Sequence, residues 1–168
     1  MTNSVIKYSL FAVILIFLQV VLFNNIQFSG YVNPYVYVMI LLLLPAVIPS
    51  WILLIISFCI GFIIDLFAGS PGMHASATVM AGFTRPYVLR IISPRDGYES
   101  GTELSMASYG FRWFLLYTTI IVLIHHLTLF YVEVFRLAEF FSTFLRVLLS
   151  SVFTIGFILL LESYRKRR

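Results

Sequence analysis

Asp65 is the strongest candidate for a chemical role in this sequence. It is the first Asp, Glu, Lys or Arg after an uncharged and mostly apolar stretch at 8–64, and the small or helix-breaking residues 68–72 follow it closely. A carboxylate in such surroundings is costly unless it is paired or reaches water, so contact with a substrate or a proton is one interpretation. The other is that Asp65 braces the turn containing Gly69 and Gly72 by accepting backbone N–H groups.

Arg85 is a second charged residue expected inside an apolar helix, and Pro86 follows it directly. Proline removes one backbone donor from a helix, which leaves the carbonyl of Gly82 without its usual partner. We therefore expect the guanidinium of Arg85 to donate to that carbonyl. An ion pair with Asp65 is a weaker alternative, because the two residues are expected to differ in depth by about 10 Å.

The three histidines do not have the spacing of a metal site. His125 and His126 are adjacent, so their side chains point about 100° apart on a helix, whereas two ligands on one face need a spacing of three or four. We expect this pair to serve polar helix packing near the outer surface, and His74 to lie beside a helix cap. No catalytic or phosphate-binding motif is present, so we expect no enzyme activity, metal or cofactor.

The composition predicts a membrane protein. Of the 168 residues, 61% are hydrophobic and 11% are charged, and the mean hydropathy is +1.00. Soluble domains carry about 25% charged residues. The pI near 9.4 comes largely from the C-terminal Arg-Lys-Arg-Arg, which directly follows an apolar segment and indicates topology rather than nucleic-acid binding.

The apolar segments and the breaks between them predict an all-α, six-helix transmembrane bundle that forms a single domain over 1–168. The first helix is expected to be retained and not cleaved as a signal peptide. The predicted spans are 8–23, 35–48, 51–67, 74–92, 111–131 and 140–161.

The basic residues predict that both termini lie in the cytoplasm. Lys7, Arg90, Arg95, Arg112 and the basic tail fall on one side, and Arg136 and Arg146 fall on the other. The polar stretch 93–110 is then a cytoplasmic loop, either solvated or in contact with a cytoplasmic partner. A re-entrant pair formed by the second and third helices, with five or fewer true spans, remains an alternative.

Small residues at a spacing of four predict a close approach of the third and fourth helices. Packing within the bundle is favoured over contact with a partner, because the two helices are neighbours in sequence. The single cysteine, Cys59, cannot form an intrachain disulfide and is expected to serve packing. The small residues are Ser57 and Gly61 on the third helix, and Ala77, Thr78, Ala81 and Gly82 on the fourth.

The segment 61–75, GFIIDLFAGSPGMHA, resembles the central stretch of the rod shape-determining protein MreD family. Members of that family are short, very hydrophobic bacterial inner-membrane proteins with five or six spans. The resemblance implies a non-enzymatic scaffold of the cell-elongation machinery. Such a scaffold contacts MreC and, directly or through MreC, the MreB filament and the peptidoglycan synthases.

The MreD family is in turn similar to the substrate-binding S components of energy-coupling-factor vitamin transporters, which are six-helix proteins of this size. That similarity supplies an alternative function. A solute-binding protein would use an outward-facing pocket at the turn between the third and fourth helices, where Asp65, Gly69, Gly72 and His74 cluster.

Overall fold

The protein is helical, and the computed structural model describes residues 2–25, 32–99, 102–134 and 140–166. Arg136, Arg167 and Arg168 lie outside these residues, so the side of the membrane predicted for each of them is not tested by the structure. The α-helices are α1 (Thr2–Val21), α2 (Met39–Leu43), α3 (Ser50–Ala68), α4 (Met73–Ile91), α5 (Met106–Tyr109), α6 (Phe111–Val134) and α7 (Phe140–Lys166).

Four stretches of helix among the described residues are long and apolar enough to cross a membrane. They are Tyr8–Asn25, Ser50–Ala68, Phe111–Val134 and Phe140–Arg165. Their outward faces carry large exposed apolar side chains, such as Phe17 on α1 and Trp51 on α3. This is the surface of an α-helical membrane protein, because such side chains are stable only against lipid or another apolar surface.

α4 has the length of a membrane span but a different character. It has 19 residues, as α3 does, and it packs against α3 on one side and α6 on the other. Its buried face includes Thr78 and Arg85, which lowers its hydropathy below that of its neighbours. Flanking helices therefore shield the polar side of α4 from lipid.

The helix predicted at 35–48 is wrong in form. A 3-10 turn at Val36–Val38 leads into α2, and the two together contain only eight residues. At about 1.5 to 2.0 Å per residue they cover roughly half of a 30 Å hydrocarbon layer. The side chains of 35–44 are all buried, so this apolar run forms the core of the bundle and does not face lipid. We call residues 32–45 the core segment.

The elements alternate between two ends of the molecule. The C-terminal ends of α1, α3 and α6 meet the N-terminal ends of α4 and α7 around one cavity, and we call this the cavity end. At the opposite end, the loop that precedes α5 is joined to the C-terminal end of α7 through Glu103 and Arg165. We call this second end the tail end.

α3 and α4 approach so closely that their glycines are required. A Cβ added to Gly61 would lie 2.1 Å from Oγ1 of Thr78, and one added to Gly82 would lie 2.2 Å from Oγ of Ser57. Both distances are far below van der Waals contact. The small residues thus serve packing within the bundle, as expected. Cys59 is exposed on α3, so its predicted packing role is wrong.

Candidate functional site

The carboxylate of Asp65 organises the turn between α3 and α4. Asp65 is 3% exposed and accepts four hydrogen bonds, two at each oxygen. Oδ1 accepts from Ser70 Oγ at 3.0 Å and from His74 N at 2.9 Å. Oδ2 accepts from Gly72 N at 3.1 Å and from Ala75 N at 2.9 Å.

The turn therefore works as a helix cap made by a residue of the preceding helix. The first N–H groups of α4 have no partners in their own helix, and a carboxylate placed there also favours the helix dipole. Gly69 and Gly72 have φ of 66° and 84°, a left-handed conformation that glycine adopts without strain. Of the two interpretations of Asp65, the structure shows the bracing contacts.

Side chains of α1 and α7 hold the start of the core segment. Oε1 of Gln19 accepts from Val36 N at 2.8 Å, and its Nε2 donates to the carbonyl of Pro34 at 3.1 Å. From α7, Oγ of Ser150 accepts from Asn33 N at 3.1 Å, and Oγ1 of Thr154 accepts from Tyr35 N at 3.0 Å. Extended backbone is stable at membrane depth only when its polar groups are satisfied inside the protein, as they are here.

Arg85 holds the other end of the core segment. Its Nη1 donates to the carbonyl of Pro45 at 3.2 Å, its Nη2 donates to that of Leu44, and its Nε donates to the Tyr117 hydroxyl at 2.7 Å. The Tyr117 hydroxyl in turn donates to the carbonyl of Leu42 at 3.3 Å. The predicted bond from Arg85 to the carbonyl of Gly82 is thus replaced by bonds to orphan carbonyls that end α2, and Arg85 makes no ion pair with Asp65.

All three histidines belong to one buried hydrogen-bond chain that crosses the core. The Tyr37 hydroxyl lies 2.9 Å from Nδ1 of His74 and 2.8 Å from Nε2 of His125. Nδ1 of His125 lies 3.4 Å from Nδ1 of His126. Nε2 of His126 lies 3.1 Å from Oγ1 of Thr154, so the chain runs from α4 through the core segment and α6 to α7.

The proton positions along this chain follow from one carbonyl oxygen. Nδ1 of His126 lies 2.9 Å from the carbonyl of Val122 and must donate to it, because a carbonyl oxygen only accepts. With neutral rings, Nδ1 of His125 then accepts, Nε2 of His125 donates to Tyr37, and the Tyr37 hydroxyl donates to Nδ1 of His74. His74 is left with its proton on Nε2, and no described residue accepts a bond from that atom.

The histidine pair is therefore more deeply placed than the sequence indicates. His125 and His126 have no exposed surface, and they pack against Tyr35 as well as bonding along the chain. Polar helix packing describes them correctly, but their partner is the core segment. Among the described residues, no three His, Cys, Asp or Glu side chains are placed to hold a metal ion.

A cavity of about 460 Å³ opens at the cavity end of the bundle. It lies beside the α3–α4 turn, where the solute-binding hypothesis puts a pocket, and Gly69, Ser70 and His74 line it. This volume is within the range of small-molecule sites, roughly 300 to 1,000 Å³. Its polar wall includes Asn24, Asn25, Asn33, Tyr35, Glu133 and Arg146, and its apolar wall includes Val20, Phe23, Phe67, Met73 and Leu129.

Arg146 is the one positively charged side chain among the described residues that line this cavity. Its Nη1 donates to Oε1 of Glu133 at 3.0 Å, and the guanidinium carbon lies 4.3 Å from the centre of the Phe130 ring. With the amide of Asn33 oriented to satisfy its neighbours, Nη2 donates to Asn33 at 3.0 Å. Nε is buried and has no hydrogen-bond acceptor among the described residues.

The tail end is closed by a buried carboxylate that the sequence analysis overlooked. Glu162 is 1% exposed, accepts from Met106 N at 3.1 Å and pairs with Arg165 at 2.8 Å. Arg165 also reaches Glu103, so the loop is bound to α7. Burial raises the pKa of Tyr98 to about 12, so its hydroxyl stays protonated and donates to the carbonyl of Leu89 at 2.8 Å.

The loop 93–110 thus divides into two parts. Its charged residues Arg95, Asp96 and Glu99 are exposed, which agrees with a solvated turn, whereas Glu103 belongs to the ion-pair cluster. The residues that sequence reasoning missed, Gln19, Tyr37, Tyr117, Thr154 and Glu162, have one signal in common: each places a polar group within an apolar segment.

Comparison of the chain with protein-family models, with curated proteins and with solved structures finds no match in any of the three.

Proposed function

We propose that this chain is a non-enzymatic scaffold of the bacterial cell-elongation machinery, similar to the MreD family, which docks MreC and, directly or indirectly, peptidoglycan synthases and MreB. The observation that carries the proposal is the resemblance of 61–75, together with the use made of its polar groups. Asp65, Ser70 and His74 all bond within the chain, and Gly61 serves packing. A motif used in this way builds a rigid framework.

The proposed topology is a six-span protein of the bacterial inner membrane with both termini in the cytoplasm. Support comes from the alternation of the elements between the two ends, with Arg90, Arg95, Arg112 and Arg165 towards the tail end. In this arrangement the core segment crosses inside the bundle, while α1, α3, α6 and α7 also meet lipid, as does the apolar face of α4 with Phe83 and Ile91. Such a core segment is compatible with the bilayer because protein surrounds it.

The proposed docking surface is the apolar outer face of α3. On α3, Ile55, Phe58, Phe62 and Leu66 are between 46% and 67% exposed and recur every three or four residues, so they form one stripe. Packing and occasional polar contacts drive association between helices in lipid, where the hydrophobic effect is absent. A single-span partner helix can therefore pack on this stripe without any charged recognition.

Two experiments test the scaffold role. Depletion in the bacterium that carries the protein should round up rod-shaped cells, and purification in mild detergent should recover an MreC-type protein. In the purification, Ile55→Ala/Phe62→Ala should lose the partner while the matched pair Val13→Ala/Phe17→Ala on α1 keeps it. Unchanged cell width and length after depletion would argue decisively against the role.

A second candidate function, the S-component type of solute binding, is favoured by the cavity at the α3–α4 turn. A solute-binding protein should gain thermal stability from its ligand by mass action, about 2.7 kcal/mol at a hundredfold excess over Kd. Melting curves of the purified protein with a panel of vitamins measure this gain. Recovery of a transporter ATPase in place of elongation proteins would favour this candidate over the scaffold.

A further inference from the structure

We propose that the cavity at the cavity end binds an amphipathic molecule through an anionic group, a carboxylate or a phosphate, with Arg146 as the anchor. The inference goes beyond the scaffold role, and it gives the solute-binding candidate a ligand class. It rests on three features of the cavity wall. The wall has hydrogen-bond donors without acceptors, it has an apolar side, and its carboxylate, Glu133, can be displaced from Arg146 by another anion.

The first feature is the guanidinium of Arg146. Its side chain is 19% exposed and lines the cavity, while its Nε is buried and has no acceptor among the described residues. Nη1 and Nη2 carry two N–H groups each and make one described bond each, to Glu133 and to Asn33, so donors remain for a carboxylate or phosphate, whose oxygens accept two parallel bonds from a guanidinium fork. The Phe130 ring below the guanidinium fixes its plane without using any of its donors.

The second donor comes from the histidine chain. The proton order imposed by the Val122 carbonyl leaves Nε2 of His74 protonated, and His74 lines the same cavity as Arg146. No described residue accepts from this N–H. The amide of Asn24 adds a further donor to this wall, because its Oδ1 accepts from Gln19 and its Nδ2 has no bond to a described residue.

The remaining wall determines what else the ligand must carry. Val20, Phe23, Phe67 and Leu129 are apolar, and Phe67 is 65% exposed on the outer face of α3. A ligand with only a charged group would leave the apolar wall of the cavity in contact with water. A molecule with an apolar part beside its anionic group fills both sides, and either a lipid headgroup with its chains or a free amphipathic solute has that chemistry.

Glu133 sets the condition under which the anion binds. It bonds to Nη1 of Arg146 and is itself 37% exposed at its side chain, so it neutralises the guanidinium. An incoming anion competes with the Glu133 carboxylate for the guanidinium of Arg146. The anion is also repelled by the negative charge of Glu133, because the two lie close together. Removing the charge of Glu133 should therefore strengthen anion binding, which is the opposite of the effect expected from removing Arg146.

The test measures binding of dioleoylphosphatidylglycerol by native mass spectrometry, and of glycerophosphoglycerol, biotin and pantothenate by calorimetry. The two phosphodiesters share a headgroup, so they separate a lipid source from a free phosphate, while the two vitamins present a free carboxylate. Full-length wild type is compared with Arg146→Gln, Arg146→Lys, Glu133→Gln and the control Arg112→Gln. Arg112 is exposed at the start of α6, remote from the cavity.

At least one probe should bind to wild type and to Arg112→Gln. Arg146→Gln should weaken that binding about tenfold to a hundredfold, the loss expected for one or two charge-assisted bonds. Arg146→Lys should weaken it less, since it keeps the charge but loses the fork. Glu133→Gln should bind more tightly than wild type.

Binding of the lipid alone assigns the site to a headgroup, and binding of a soluble probe assigns it to a free anion. Failure of every probe, equal binding by Arg146→Gln, or weaker binding by Glu133→Gln would each overturn the proposal. Arg146→Lys preserves the test if Arg146→Gln does not fold. The scaffold role is judged separately, because cell shape after depletion does not depend on any of these probes.

Discussion

Oε1 of Gln19 lies 2.8 Å from the backbone nitrogen of Val36, which joins the last turn of α1 to the backbone of the core segment. Gln19 has no exposed surface, and its amide also donates to Pro34 and Asn24. The Gln19 amide thus satisfies the backbone N–H of Val36 and the backbone carbonyl of Pro34, neither of which bonds within a helix.

Gln19→Leu should lower the free energy of unfolding by about 2 kcal/mol, because it removes the acceptor of the Val36 and Tyr37 N–H groups and the donor to the Pro34 carbonyl. Unfolding of the purified protein in mixed micelles measures the change. Thr84→Val is the control, since the hydroxyl of Thr84 bonds only to carbonyls of its own helix. Equal stability of the two variants would show that water or lipid satisfies the core segment.

Arg85→Met and Tyr117→Phe should destabilise the protein in a coupled way. The guanidinium serves two carbonyls and the Tyr117 hydroxyl, so we expect a loss of about 2 to 4 kcal/mol for Arg85→Met and about 1 kcal/mol for Tyr117→Phe. A double-mutant cycle measures the coupling between them. Arg90→Met, an exposed arginine further along α4, should change little, and strictly additive losses would refute the coupling.

Asp65→Ala should loosen the turn between α3 and α4. It removes an acceptor from four donors, and we expect a loss of about 2 to 4 kcal/mol together with faster hydrogen exchange at His74 and Ala75. Asp65→Asn keeps one acceptor oxygen and should lose less. In cells, Asp65→Ala should impair assembly more than Arg146→Ala does, and full complementation at normal expression would remove Asp65 from the important residues.

Much of this architecture follows from patterns that are local in sequence. The helices α1, α3, α6 and α7 were predictable because each is an apolar run of helical length, and the bracing by Asp65 because it lies beside a glycine-rich turn. The burial of 35–44 in the core of the bundle was not predictable, because hydropathy does not distinguish a lipid environment from a protein interior. The partners of Arg85 and Gln19 also depend on residues up to 41 positions away.

Two glycines offer a matched comparison of helix packing. Gly61→Ala should destabilise the protein by about 1 to 3 kcal/mol, because its Cβ would lie 2.1 Å from Thr78 Oγ1 and 2.5 Å from the backbone of Ala75. Gly156→Ala meets no atom within 4 Å and should be neutral or stabilise by up to about 1 kcal/mol. Thermal unfolding measures both changes, and a similar loss for both would contradict the packing described.

Cysteine accessibility tests the proposed orientation. In a Cys59→Ser background, Asn25→Cys at the cavity end and Glu99→Cys at the tail end place single thiols at exposed positions. A membrane-impermeant maleimide should label Asn25→Cys in intact cells, and Glu99→Cys only after the inner membrane is opened. In the wild-type protein, Cys59 at an exposed site midway along α3 should resist the reagent both in intact cells and after the membrane is opened. Labelling of Asn25→Cys and Glu99→Cys from the same side would refute the orientation.

The bonds that hold the core segment impose an order on biogenesis. Asn33 and Tyr35 find their acceptors on Ser150 and Thr154, which the ribosome adds 117 and 119 residues later. Until α7 has been made, the backbone of this stretch cannot be satisfied as it is in the finished protein, and its helical part is too short to lodge in the bilayer as an independent span. The core segment must therefore wait at the insertion machinery or in water until α7 supplies the acceptors that complete its hydrogen bonding.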